Sequence, residues 1–325
     1  MTRICWLLIM TLVYCLPCLS QTKQPSARMS PVQIEARVFK LLSDGKQSDA
    51  EHLLESKVSV HRDNQRVVFL LACCLRSRFL VREAAPVFMA VADMGTNSIA
   101  GQCAIHILFL DAKKEIEKHF GALRDLVEKN PNDAMLRWMI AVQCRAFNRN
   151  EEGVKHYAKL LEQWTPGPVL VHQTYGNLLD ELSRYEEALV ERRKAVELEP
   201  AGWSYQGLGY TLASLNRFAE ANQAYAKSVA CDPDRSSYWV SWAWGLIREG
   251  KYPEAIGKCE QATTLDSKDY RAWSQWGRAL ELQGKFQDAL VKYRKAVEIN
   301  KAFEFANKRI LEVEKQIGSQ HSPAR

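Results

Sequence analysis

The stretch Trp273-Ser274-Gln275-Trp276-Gly277-Arg278-Ala279-Leu280 decides the fold. Gly284, Phe286 and Ala289 follow it, and then Tyr293 and Ala296. On both sides of Gly284 the apolar residues recur at intervals of three and four, the spacing of an amphipathic helix. A glycine between two such segments marks a turn. The stretch therefore predicts two helices folded back on each other. Gly277, Ala289 and Ala296 are small enough to let helix backbones approach closely, while Trp273 and Tyr293 fill the space between helix pairs.

Working outward, the same pattern recurs. Ala188, Ala221, Ala255 and Ala289 hold the equivalent small position at steps of 33, 34 and 34 residues. Tyr175-Gly176, Leu208-Gly209, Trp242-Ala243 and Trp276-Gly277 hold the matching place in the preceding helices. Pro200 and Pro233 close two units; Ser267 and Lys301 stand where the others would have Pro. Further back, Gly153 lies 35 residues before Ala188, and Ala50 and Ala84 are 34 apart. Between them the ruler lands on His119, a poor match. Pro86 falls early in a second helix, where it is tolerated only in the first turn.

In order and spacing these residues resemble the tetratricopeptide repeat pattern W-x2-L-G-x2-Y…A-x3-F…P. The resemblance covers nearly all of the chain beyond residue 30. It implies an all-α fold, a right-handed α-solenoid of helix hairpins with a C-terminal capping helix. About eight units are expected over 31–301, the clearest being 169–201, 202–235, 236–269 and 270–301. Residues 302–318 read as the capping helix that covers the apolar end of the stack. Residues 21–30 and 319–325 are polar and without period, and read as disordered tails.

The first twenty residues differ. Arg3 is their one charged side chain, the run Ile4 to Leu16 is apolar, and Pro17, Cys18, Leu19 and Ser20 break it. This is the pattern of a secretory signal peptide over 1–20, cleaved after Ser20. The run is shorter than the roughly 20 residues that span a bilayer. A retained anchor, or a lipid-modified Cys15 or Cys18, is the alternative. Export to a periplasmic or secreted location is therefore expected, with membrane association only through an uncleaved or lipidated N-terminus. The net charge of +6, from 44 Lys plus Arg against 38 Asp plus Glu, is spread along the chain. Without a basic run interleaved with aromatics, no nucleic-acid partner is expected.

Catalysis has no motif to stand on: no P-loop, Gly-x-Ser-x-Gly, His-Glu-x-x-His or dinucleotide fingerprint occurs. No enzyme activity and no cofactor are expected. Beyond the leader lie Cys73, Cys74, Cys103, Cys144, Cys231 and Cys259. An oxidising compartment allows disulfides, but the irregular spacing forms no framework, and the thiols read as small buried hydrophobes. Cys73 and Cys74, with Cys103 and His106 on the neighbouring first helix, are the one candidate zinc set.

The resemblance also implies a ligand groove formed by the first helices. Carried over by position, it consists of Trp138 in the fourth unit and Asn177 in the fifth. The sixth contributes Trp203, Gln206 and Tyr210, and the seventh Ser241 and Trp244. The eighth contributes Arg271, Gln275 and Arg278. Trp239, Trp242, Trp273 and Trp276 read as core instead. Such a groove is aromatic in its middle and basic at its C-terminal end, and Trp, Tyr and Arg dominate binding hot spots. The expected function is a non-catalytic scaffold holding a protein or peptide, one with an acidic group near an end. The alternative is a carbohydrate or cell-wall module that uses the same aromatics as stacking platforms. Two better-known grooves of the family are not matched. Gln173 and Gly207 replace the Lys and Asn of the chaperone clamp, and Thr174, Gly207, Ser241 and Gln275 stand where an Asn ladder would be.

Overall fold

The computed structural model describes residues 29–43, 47–58, 61, 64–77, 81–95, 98–111, 115–165 and 167–320. The expected leader lies outside them. The chain divides into two compact units, Met1–Leu178 and Leu179–Arg325. Every regular element among the described residues is a helix. The first unit contains α1 (Pro31–Ser43), α2 (Gln47–Val58), α3 (Gln65–Ser77), α4 (Val81–Asp93), α5 (Ile99–Asp111), α6 (Ile116–Lys129), α7 (Ala134–Ala146) and α8 (Asn150–Gln163). The unit boundary falls inside α9 (Val169–Glu181). The second unit continues with α10 (Tyr185–Leu198), α11 (Gly202–Ser214), α12 (Phe218–Cys231), α13 (Ser236–Glu249), α14 (Tyr252–Leu265), α15 (Tyr270–Leu282), α16 (Phe286–Ile299) and α17 (Glu304–Gln320). No helix among the described residues is long and apolar enough to cross a membrane.

The fold is an all-α solenoid of helix hairpins with a capping helix at its C-terminal end. In the second unit α11 packs on α12, α13 on α14 and α15 on α16, and the first helices α11, α13 and α15 also touch in series. That series forms one continuous wall. The turns within the hairpins share one device. Asn148, Ser183, Asn216, Gly250 and Gly284 each adopt positive φ just past the end of a first helix. The next residue then donates its N–H back across the turn: Arg184 to Leu179 O, Arg217 to Leu212 O, Lys251 to Leu246 O and Lys285 to Leu280 O, each at 2.9 Å. This satisfies carbonyls that a helix end otherwise orphans.

Close packing explains the small residues. A Cβ on Gly277 would lie 2.9 Å from the ring of Tyr293, and one on Gly209 2.8 Å from that of Tyr225. Both tyrosines are fully buried, as are Ala221, Ala255, Ala289 and Ala296 to within 2%. At the chain end, Ala306 and Val313 of α17 are fully buried against Leu290 and Tyr293, with Ile310 and Ile317 beside them. A buried carboxylate fastens this cap. Glu281 accepts from the Tyr293 hydroxyl at 2.7 Å, from Arg309 Nε at 3.0 Å and from Arg278 Nη1 at 3.2 Å.

One sequence expectation gives way here. Pro86 stands sixth in α4, beyond the first turn, and the helix continues through it to Asp93. The four tryptophans read as core pack against the buried clusters while keeping part of their surface open. Trp239 and Trp242 stack with ring centroids 6.1 Å apart, and Trp273 and Trp276 at 5.5 Å. Lys258 Nζ lies 3.6 Å from the Trp242 ring centroid, and Lys292 Nζ 3.5 Å from that of Trp276. Each indole pair thus buries one flank and holds an ammonium on its rings. The mismatch at His119 has a physical source as well. Its ring is buried in the small-residue position, and its Nδ1 lies 2.9 Å from Nδ1 of His106 on α5. An imidazole pair replaces the usual close backbone approach.

Candidate functional site: an aromatic cavity in the second unit

Along the first helices of the second unit lies a cavity of about 460 Å³ lined by Tyr210, Val240, Ser241, Trp244, Arg271, Ser274, Gln275, Phe303 and Phe305. That volume falls within the range of small-ligand and side-chain pockets. Five residues expected in the groove meet here: Tyr210 from α11, Ser241 and Trp244 from α13, Arg271 and Gln275 from α15. Helical spacing puts them on one face: Ser241 and Trp244 are three apart, Arg271 and Gln275 four apart.

Two aromatic pairs line the cavity. Tyr210 and Trp244 stack nearly parallel, centroids 4.6 Å apart at 19°. Phe303 lies 6.1 Å from Phe305 and packs edge-on against Tyr270 at 4.8 Å. Phe305 is 44% exposed and Tyr210 39%, so each offers apolar area to a guest. Burial raises the pKa of the Tyr210 phenol, which keeps it a neutral donor.

The polar lining divides into spent and unspent groups. Gln206 donates its side-chain N–H to Ser241 Oγ at 2.7 Å, and Ser241 donates to the Ser237 carbonyl at 3.0 Å, which fixes the floor. Ser274 is 2% exposed, and its Oγ has no hydrogen-bond partner among the described residues. Arg271 is the one formally charged lining residue, and among the described residues its guanidinium meets no carboxylate. Asp269 lies close, but its two oxygens accept from the Arg271 backbone N–H at 3.0 Å and the Ser236 hydroxyl at 2.9 Å. Outside the lining, the Arg248 guanidinium lies 5.3 Å from the Trp244 ring centroid.

The other expected groove residues are elsewhere. Trp138 is fully buried and packs edge-on against Trp164 at 6.2 Å, so no partner reaches it. Arg278 is held by the buried Glu281 rather than offered to a guest. Gln206 stands behind the floor, and Trp203 and Asn177 do not line the cavity. The glycine that breaks the chaperone clamp also has a structural reason. A Cβ on Gly207 would sit 2.7 Å from Arg192 Nη1, whose guanidinium is bound to buried Asp180 at 2.7 Å.

Sequence reasoning missed Ser274, Phe303 and Phe305. Phenylalanines two apart at a helix start cannot both face the core, and that was the available signal.

Of the zinc set, the Cys74 side chain lies outside the described residues; Cys73 and Cys103 are buried, and His106 lies against His119. Among the described residues the one metal-like group is Cys144, Glu152 and His156. Arg124 holds Glu152 with bonds of 2.6 and 2.8 Å, Arg149 stands 3.6 Å away, and burial pushes the Cys144 thiol up to about 12. Two guanidinium groups and an un-ionised thiol do not suit a cation.

Residues 270–303, the hairpin that carries Arg271, Ser274 and Gln275, match the family described as Tetratricopeptide repeat. That one hairpin matches the tetratricopeptide repeat. The chain is 29% identical over 149 residues to the Tetratricopeptide repeat-containing protein trd-1 of Caenorhabditis elegans, a match covering 46% of this chain and 18% of that relative. It therefore spans about a fifth of that relative's length. Among solved structures, the crystal structure of the APC/C hetero-tetramer Cut9-Hcn1 has a similar fold, with TM-score 0.66 at 11% identity over 87% of this chain and 56% of that one. The structure of YrrB, a tetratricopeptide repeat protein with an unusual peptide-binding site, aligns over 60% of this chain and 98% of its own, at 22% identity and TM-score 0.42.

Proposed function

We propose that this protein is a non-catalytic scaffold that holds a segment of another protein in the cavity of its second unit. The observation that carries the reading is the gathering of Tyr210, Trp244, Arg271, Phe303 and Phe305 around one open cavity on a wall of packed helices. Aromatic and arginine side chains supply most binding energy at protein interfaces. Here they are pre-positioned by buried neighbours, which lowers the ordering cost of binding.

A sugar platform needs an open ring face and is less well served, since one face of Trp244 is stacked on Tyr210. The setting we propose is extracytoplasmic, on the strength of the apolar run Ile4 to Leu16 and the break at Pro17.

The test is affinity selection of a displayed random-peptide library on the full chain, with soluble glycans titrated in parallel. The reading expects an enriched peptide class that is lost with Tyr210→Ala and Trp244→Ala combined, at unchanged helical content. Glycan binding without peptide enrichment, or enrichment indifferent to those changes, contradicts it.

A further inference from the structure

The lining of the cavity specifies its guest more narrowly than a protein segment in general. We propose that it selects an internal stretch of the partner in which a bulky aromatic or aliphatic side chain stands beside an acidic one. The inference rests on the protein-binding reading above.

Shape and charge each contribute. The aromatic pairs belong to different elements: Tyr210 and Trp244 to the wall helices α11 and α13, Phe303 and Phe305 to the start of the cap. A flat or branched side chain entering the cavity covers rings that are now partly open to water. The charge is unbalanced. Arg271 stands in the lining with no carboxylate partner among the described residues, Arg248 adds a second cation against the Trp244 ring, and Asp269 is occupied by backbone and Ser236. A guest carboxylate would meet Arg271 beside low-dielectric aromatic walls, where a charge-assisted hydrogen bond is stronger than in open water.

Ser274 gives an independent pointer. Its hydroxyl is buried in the lining, one turn along α15 from Arg271, and has no partner. A buried polar group left unpaired is costly, and a guest backbone carbonyl or carboxylate oxygen would satisfy it. Arg271, Ser274 and Gln275 then form a polar strip along α15 in the same lining as the aromatic pairs. A strip of side-chain donors that does not close around a chain end accepts an internal segment.

The experiment uses the full chain and three blocked, fluorescein-labelled peptides with centres Glu-Phe-Glu, Lys-Phe-Lys and Glu-Ala-Glu, read by fluorescence anisotropy. The acidic aromatic probe is expected to bind about tenfold or more tighter than the other two, with affinity falling as salt rises. Arg271→Glu should reverse the preference toward Lys-Phe-Lys, and Ser274→Ala should weaken Glu-Phe-Glu without changing the order. Arg271 is exposed, so its replacement leaves the core intact. Equal binding of the acidic and basic probes, a preference that survives Arg271→Glu, or no binding of any probe overturns the inference. Should that happen while Tyr210→Ala with Trp244→Ala still abolishes library selection, the protein-binding reading stands alone. If library selection fails too, both fall.

Discussion

Arg271 and Arg278 lie seven residues apart on α15 and meet different fates. Arg278 reaches the buried Glu281 at 3.2 Å and has its charge matched inside the fold. Arg271 stands at the cavity without such a partner. Burial of the neighbour, not helix position, separates a structural arginine from one available to a guest. His156 shows burial acting on a titration. Its ring is 15% exposed, and burial lowers its pKa from 6.5 to about 4 against the weaker pull of Glu152. Between those values the unfolded chain takes up a proton that the folded one refuses. The stabilisation is therefore complete above pH 6.5 and lost as pH falls toward 4, by at most about 3 kcal/mol. Urea unfolding at pH 7 and pH 4.5 should show this loss, and His156→Gln should shrink it. An unchanged pH dependence in the variant would show that His156 is not the cause.

At the scale of the element, the hairpin is the unit of stability, and its decisive contacts are a small residue under a buried tyrosine and a turn of positive φ. Glu281 joins three elements, α15, α16 and α17, through Tyr293, Arg278 and Arg309. Replacing it with Ala removes the acceptor of the Tyr293 hydroxyl and one of the two carboxylates that hold Arg309, Glu312 being the other, at a cost of about 1–3 kcal/mol. Hydrogen exchange should then speed up across Glu304–Gln320 while α11 and α12 stay protected; uniform protection would contradict this. Much of this scale was legible in the sequence. Gly277 announces the close helix crossing, because a Cβ there would stand 2.9 Å from the Tyr293 ring. The site was legible only by half. Periodicity fixes which helix face Tyr210, Trp244 and Arg271 occupy. It says nothing of how deep a side chain sits, so fully buried Trp138 looked like a groove residue. Phe303 and Phe305 were hidden for another reason: they act from the start of the cap, outside the repeating register.

For the whole molecule, the account is that one wall of packed first helices in the second unit, closed at one end by the cap, receives a guest protein. Site-specific photo-crosslinking tests this most directly. A benzophenone amino acid is placed at Gln275, in the cavity lining, and separately at Val291 on α16, which is 61% exposed and outside the lining. Each full-length protein is then irradiated in the cells that make it. The account predicts a discrete protein adduct from Gln275 that is absent from Val291 and lost when Tyr210 and Trp244 are changed to Ala. No adduct from Gln275, or the same adduct from both positions, would contradict it.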